Sequence, residues 1–414
     1  MSATESAHRS VHRLTVYALV ALLLQALALL IWVVRFYVLE DWTAPIVGFD
    51  FAVFWSAARV TMEHGAASVF SQQLMQPLEV ALWHKLHYAP WPYPPTFLLA
   101  VLPFGLLSFG SALILYSMLG LLSYGSMIAC VIRRAERTWL PVFGASPGIF
   151  VAVALGQNSL FTVGVAGIAL ALIETNSALA GVCVAVLVIK PQFGVLIPLA
   201  LICSRQWKVL MVSALCTLAF VGVSTAILGP DVWSAFVTYL PQFNRIAVEH
   251  GGSEMWLGMP TVFAISRSLG MSVNVAYVMH GLIAAPAVMI MAFLWVKRAR
   301  FELRATAFVV ATLLMQPYIM FYDLAWLILP VAFLMRDAKA SPLNHMEWAV
   351  LTAAWLAPVQ GVLAAYVGLY LQIVPAVLVA LLVIVMRRHF ASTAASTQPT
   401  TGLVEHVAGE SRLV

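Results

Sequence analysis

Residues 14–39 read LTVYALVALLLQALALLIWVVRFYVL, an apolar run interrupted only by Thr15, Gln25 and Arg35. A helix needs about 20 apolar residues to cross ~30 Å of hydrocarbon, and this run is long enough. It is too long for the ~7–15-residue apolar core of a cleaved signal peptide. It therefore predicts an uncleaved first transmembrane helix.

The same character extends outward through the chain. Apolar residues make up 62% of the 414 positions and charged residues only 9%, with a mean hydropathy of +0.94. A soluble globule carries about 25% charged residues because it needs a polar skin. The 22 Lys and Arg with 17 Asp and Glu cannot cover 45.1 kDa in water. A soluble enzyme, a nucleic-acid binder, a secreted disulfide scaffold and a disordered chain are all excluded. The net charge of +5 belongs to the loops and marks topology, not an anionic partner.

Further full-length apolar runs occupy 110–132, 208–228, 271–296, 346–366 and 368–386. Between them lie shorter ones, at 94–107, 140–156, 158–174, 177–190, 192–204, 305–317 and 322–335, broken by Pro, Gly or polar residues. Broken helices in a membrane protein line something polar, since lipid does not tolerate irregular backbone. The expected architecture is all-α and polytopic, with about 11–13 membrane segments.

Basic clusters at Arg9 and Arg13, Arg133–Arg137, Arg205–Lys208, Lys297–Arg304, Arg336–Lys339 and Arg387–Arg388 mark the cytoplasmic side. Loops of about 40–92 and 229–269 then fall outside. This divides the chain into a cytoplasmic N-terminus (1–13), a membrane domain (14–388) and a small, polar cytoplasmic tail (389–414) expected to be disordered. Parity makes 94–107, which begins Pro94-Pro95, a re-entrant or interfacial segment. The four cysteines lie in apolar runs without CxxC spacing and read as small buried hydrophobes.

Both outer loops are aromatic-rich. Residues 50–63 place Phe51, Trp55, Ala58 and Met62 on one stripe and Ser56, Arg59 and Glu63 on the other, which predicts a helix lying on the bilayer surface. Residues 67–87, 231–248 and 258–269 look similar. Together they predict a roof over a cleft.

Few polar residues stand where that cleft would be. Asp50 opens the first surface helix; it reads as an N-cap or as a desolvated base. Lys190, in Val-Leu-Val-Ile-Lys190-Pro-Gln, is an ammonium inside an apolar stretch, either snorkelling or binding an anion such as phosphate. Gly156-Gln157-Asn158-Ser159 is a polar break, a satisfied turn or a ligand contact. Tyr93-Pro94-Pro95 closes the first loop. Gln316-Pro-Tyr318-Ile-Met-Phe-Tyr322-Asp323 brings a second acid, as hydrogen-bond partner or substrate ligand. The sequence has no P-loop, no HExxH and no CxxC, and its histidines lack metal-ligand spacing, although His84 and His87 stand near each other.

Four features in order along the chain resemble glycosyltransferase family 87, of the GT-C superfamily. They are Phe49-Asp50-Phe-Ala-Val-Phe-Trp-Ser-Ala-Ala with Gly65 and Val69-Phe70, Trp91-Pro-Tyr93-Pro94-Pro95, Gly156-Gln157-Asn158, and Lys190-Pro191-Gln192. The resemblance spans most of 14–335. It implies a GT-C-like membrane enzyme that moves a mannose-like sugar from a polyprenyl-phosphate donor to a glycan or glycolipid hydroxyl, with inversion. The site would face the periplasm of a bacterial inner membrane, with no cofactor and with metal dependence open. The resemblance maps the general base onto Asp50. Lys190 would stabilise the leaving phosphate, with Arg59 or a first-loop histidine as second choices. Tyr93, Gln157, Asn158, Gln192, Tyr322 and Asp323 would contact substrate, and Trp91 would stack on the sugar ring. A transporter or flippase and an O-antigen ligase or polymerase are the rival classes. Internal repeats would favour the first, and the Arg245, His250 and Arg267 of the second loop are compatible with the last.

Overall fold

The computed structural model describes residues 3–41, 43–83, 88–132, 138–367 and 372–397. Among these the secondary structure is helical, without strands. Five helices are long and apolar enough to cross a bilayer: Leu14–Val38, Phe109–Val131, Trp207–Leu228, Val273–Val296 and Val374–Ala394. The protein is a polytopic helical membrane protein.

The predicted run 346–366 is not one helix. It divides into His345–Leu356 and Val359–Val367, because Pro358 withholds an N–H and its ring crowds the preceding turn. The run at 368–386 is displaced, the last helix being Val374–Thr397. It carries on past Phe390, where the sequence suggested a disordered tail. The cysteines also differ from expectation: Cys130 is exposed, and Cys183, Cys203 and Cys216 are half-buried, Cys203 against the main core. The Arg133–Arg137 cluster and His84 and His87 lie outside the described residues.

The stretch 94–107 forms the helix Pro95–Val101 and a 3-10 turn, Leu102–Leu106. Together they extend about 20 Å, short of the ~30 Å hydrocarbon core.

The first-loop helix, Phe49–His64, exists as expected but is not a surface helix. Phe51, Phe54, Ala57, Ala58 and Val60 are buried, and so is Ser56, assigned by periodicity to the wet side. Phe54 explains this. Its ring meets Trp91, Tyr93 and Phe97 edge-on at 5.9, 5.3 and 5.0 Å, and Trp91 stacks on Phe97 at 5.5 Å. Such pairs add to simple burial. The loop aromatics thus pack on one another, leaving only Trp55, Arg59 and the residues beyond Thr61 toward the outside.

Candidate active site

Two glycines bring the first acid to the polar break. Gly48 caps the Phe49–His64 helix at φ +82°, and Gly156 ends the helix Pro147–Leu155 at φ +69°. Both angles favour glycine. The two backbones touch, with Gly48 N donating to Ala154 O at 2.7 Å. A Cβ on Gly156 would stand 2.5 Å from Phe51 Cβ. Asp50 is therefore the second residue of its helix, not its cap. It is held against Gln157, with which it hydrogen-bonds. Asp50 sits deep in the protein mass while keeping part of its surface open. Burial pushes its carboxyl up to about 7. The Gln157 hydrogen bond and the Lys190 charge oppose the rise, and the charge of Asp323 adds to it.

Lys190 lies where the helix Ser177–Val186 unwinds. It separates two 3-10 turns, Leu187–Ile189 and Pro191–Phe193, the break expected from Pro191. The turn is clamped from both sides. Thr96 Oγ1 donates to Val188 O at 3.0 Å, and Gln316 Nε2 donates to Gln192 O at 2.8 Å. Lys190 is buried, so it does not snorkel. Its Nζ donates to Asp323 Oδ1 at 2.6 Å and to Asn158 Oδ1 at 3.2 Å, and it lies over the rings of Phe193 and Tyr322 at 5.3 and 5.2 Å. An ammonium has three donors, so one is left over.

Asn158 occupies the N-cap of the helix Ser159–Leu172 but makes no side-chain cap. Its oxygen is diverted to Lys190, at a cost of about 1 kcal/mol in lost capping. Because lysine only donates, that contact fixes the amide's orientation. Asn158 Nδ2 is buried without a partner. Ser159 Oγ donates to Asp323 Oδ1 at 3.2 Å. Asp323 also reaches back within its own 3-10 helix, Phe321–Leu327, to accept Met320 N at 3.2 Å.

Lys190 and Asp323 face a cavity of about 70 Å³ lined also by Tyr93, Gln192, Tyr318 and Tyr322. Its remaining wall includes Phe236 and Leu240, one turn apart on the helix Asp231–Phe243. Of the second-loop segments expected to form a roof, 231–248 thus supplies a wall of this cavity. Tyr318, Phe236 and Leu240 were not singled out from the sequence; the i, i+4 spacing of the last two was the available signal.

Asp50, Tyr93, Gln157, Asn158, Lys190, Gln192, Tyr322 and Asp323 thus gather in one region. Arg59 does not. Nine residues along its helix from Asp50, about 13 Å, it pairs with Glu63 at 2.8 Å and covers Trp55. Trp91 is fully buried against Phe97 and presents no free face to the cavity. Among the described residues no three of His, Cys, Asp or Glu gather as metal ligands.

Comparison with known proteins returns one family. No curated protein and no solved structure matches the chain. The profile of glycosyltransferase family 87 matches residues 91–317, more than half of the chain. That stretch carries Tyr93, the Gly156–Ser159 turn, the Lys190 turn and the helix Asp231–Phe243; Asp50 precedes it and Asp323 follows it. A match of this extent, on a chain built of membrane-spanning helices, places the protein in glycosyltransferase family 87.

Proposed function

We propose that this glycosyltransferase moves a mannose-like sugar from a polyprenyl-phosphate donor to a hydroxyl of a glycan or glycolipid acceptor, inverting the anomeric carbon, on the periplasmic side of a bacterial inner membrane. The observation that carries the reading is the pairing of opposite tools in one buried region. Asp50 has a carboxyl near neutrality, and Lys190 is an ammonium with a donor to spare.

The chemistry follows from those two groups. The acceptor oxygen attacks the anomeric carbon while its proton passes to the Asp50 carboxylate. The bond from that carbon to the phosphate oxygen breaks, and its electron pair stays on the lipid phosphate. A fixed cation aimed at that oxygen lowers the barrier, more so where water is excluded. The amides of Gln157, Asn158 and Gln192 and the phenols of Tyr93 and Tyr322 are the sugar's hydrogen-bonding partners. The cavity of about 70 Å³ is small against the ~300–1,000 Å³ of ligand sites, so admitting substrate requires its walls to part.

The test is transfer of label from a panel of polyprenyl-phosphate sugars by purified protein. Asp50→Asn is expected to remain folded and lose transfer. Wild-type turnover in that variant sinks the mechanism. An absence of transfer from every donor, with lipid-stimulated solute movement, would instead favour a transporter.

A further inference from the structure

We propose that Asp323 is a positioning residue that keeps Lys190 charged and aimed, and not a ligand of the sugar. The proposal rests on the reading of Lys190 as the group that meets the donor phosphate.

Its first support is how fully Asp323 is occupied. Oδ1 accepts from Lys190 and from Ser159 at 2.6 and 3.2 Å, and Oδ2 accepts Met320 N at 3.2 Å. A carboxylate offers about four acceptor sites, so three are filled from within the protein. The residue is 2% exposed. Each bond comes from a different segment: the unwound turn at 187–193, the start of the helix Ser159–Leu172, and the strand of chain entering Phe321–Leu327.

The second support is the position of Lys190 itself. It sits at 3% exposure, and among the described residues the other hydrogen bond of its Nζ is to the neutral Asn158 oxygen. The titratable groups around it are Asp50, on the helix Phe49–His64, and the phenols of Tyr93, Tyr318 and Tyr322. Asp50 acts on it through its field and must exchange a proton during the reaction, so it is an unreliable counter-ion. A buried ammonium without a carboxylate sheds its proton readily. Asp323 supplies that carboxylate without taking part in proton transfer. Two bonds on Lys190 also leave the third proton one direction, and Lys190 lines the cavity.

The experiment measures binding of a short-chain polyprenyl monophosphate to the full-length protein in detergent at about pH 7 and about pH 9, for wild type, Lys190→Met and Asp323→Asn. Wild type is expected to bind at both pH values and Lys190→Met weakly at both. Asp323→Asn is expected to bind more weakly than wild type, with a deficit that grows about 10-fold or more from the lower pH to the higher. Binding equal to wild type at both values, or weakened equally at both, overturns the proposal. Wild type failing to bind defeats the donor reading instead. Thermal unfolding then decides the present point without any ligand. The Lys190→Met, Asp323→Asn double variant is expected to be more stable than either single, because it leaves no lone buried charge; additive losses overturn the pairing. Should Asp323→Asn fail to fold, recovery of folded protein in the double variant supports the proposal and continued failure overturns it.

Discussion

Asp323 and Asp337 stand near the two ends of one helical run, Phe321–Leu327 continuing into Ile328–Asp337, on the order of 20 Å apart. Each meets a buried cation, in a different way. At Asp337 the partner is Arg388, and every guanidinium nitrogen is used: Nε to Asp337 at 2.6 Å, one terminal nitrogen to Glu347 at 3.0 Å, the other to Ser341 O. Arg300 approaches the same carboxylate at 3.2 Å. The cluster joins the last helix to the 337–347 connection, with all three nitrogens of Arg388 engaged by partners within the protein. At Asp323 the partner is a lysine with one proton unspent, beside an amide nitrogen with no partner and next to a cavity. Burial of an ion pair is common to both ends. A cavity lined by both members of the pair lies at the Asp323 end, and it is what sets a candidate site apart from a clamp. Arginine's rigid fork suits the clamp, and lysine's point charge suits the site.

The contrast breaks most visibly if the clamp is cut. Arg388→Ala leaves Asp337 with Arg300 alone and Glu347 without a cation, and is expected to cost about 3 kcal/mol of stability, with turnover per folded molecule unchanged; thermal unfolding alongside an activity assay checks both. At the other end, Asp50→Asn is expected to lower turnover by about 10²–10⁴-fold with little change in unfolding temperature. A shared loss of stability in both variants would erase the distinction. Gly156→Ala is expected to destabilise by about 2–3 kcal/mol, through its positive φ and the collision with Phe51, and to lower activity by parting Asp50 from Gln157. The pH profile sharpens the role of the acid. In the proposed mechanism the carboxylate is the active base, and burial pushes Asp50 up to about 7. The rate is therefore expected to fall about tenfold per unit below that value and to level off above it. The smallest effect is assigned to Arg59→Ala. Its exposed i, i+4 pair with Glu63 contributes less than about 0.5 kcal/mol, and steady-state rates should not move.

Much of the fold was legible because lipid imposes one requirement on every spanning helix. Where helices break was less so. Pro286 lies inside Val273–Val296 without ending it, while Pro358 separates two helices. Neighbouring segments decide whether a lost backbone bond is tolerated, and they are not visible in local sequence. Asp50, Lys190 and the Gly156–Ser159 break were readable as polar exceptions among apolar residues. The bond between Lys190 and Asp323 spans 133 positions and has no local signature. The outward stripe assigned to the first-loop helix was misread because Phe54, the residue that buries it, meets rings more than thirty positions away. Arg59 passed as a free cation although Glu63, one turn on, was in plain sight.

Asn158 has a further consequence, for anyone who tries to make this protein sturdier. Asn, Asp and Ser are near-equivalent at a helix start, so a stability-guided redesign would treat the position as interchangeable. Asp would put a second carboxylate against Lys190, cancelling the charge that the proposed mechanism turns on the phosphate, and would leave the helix as uncapped as Asn158 does. Ser would cap the Ser159–Leu172 helix and release the ammonium. That second exchange trades the proposed function for a firmer helix, so under this mechanism position 158 is where a thermostable version would lose activity without losing its fold.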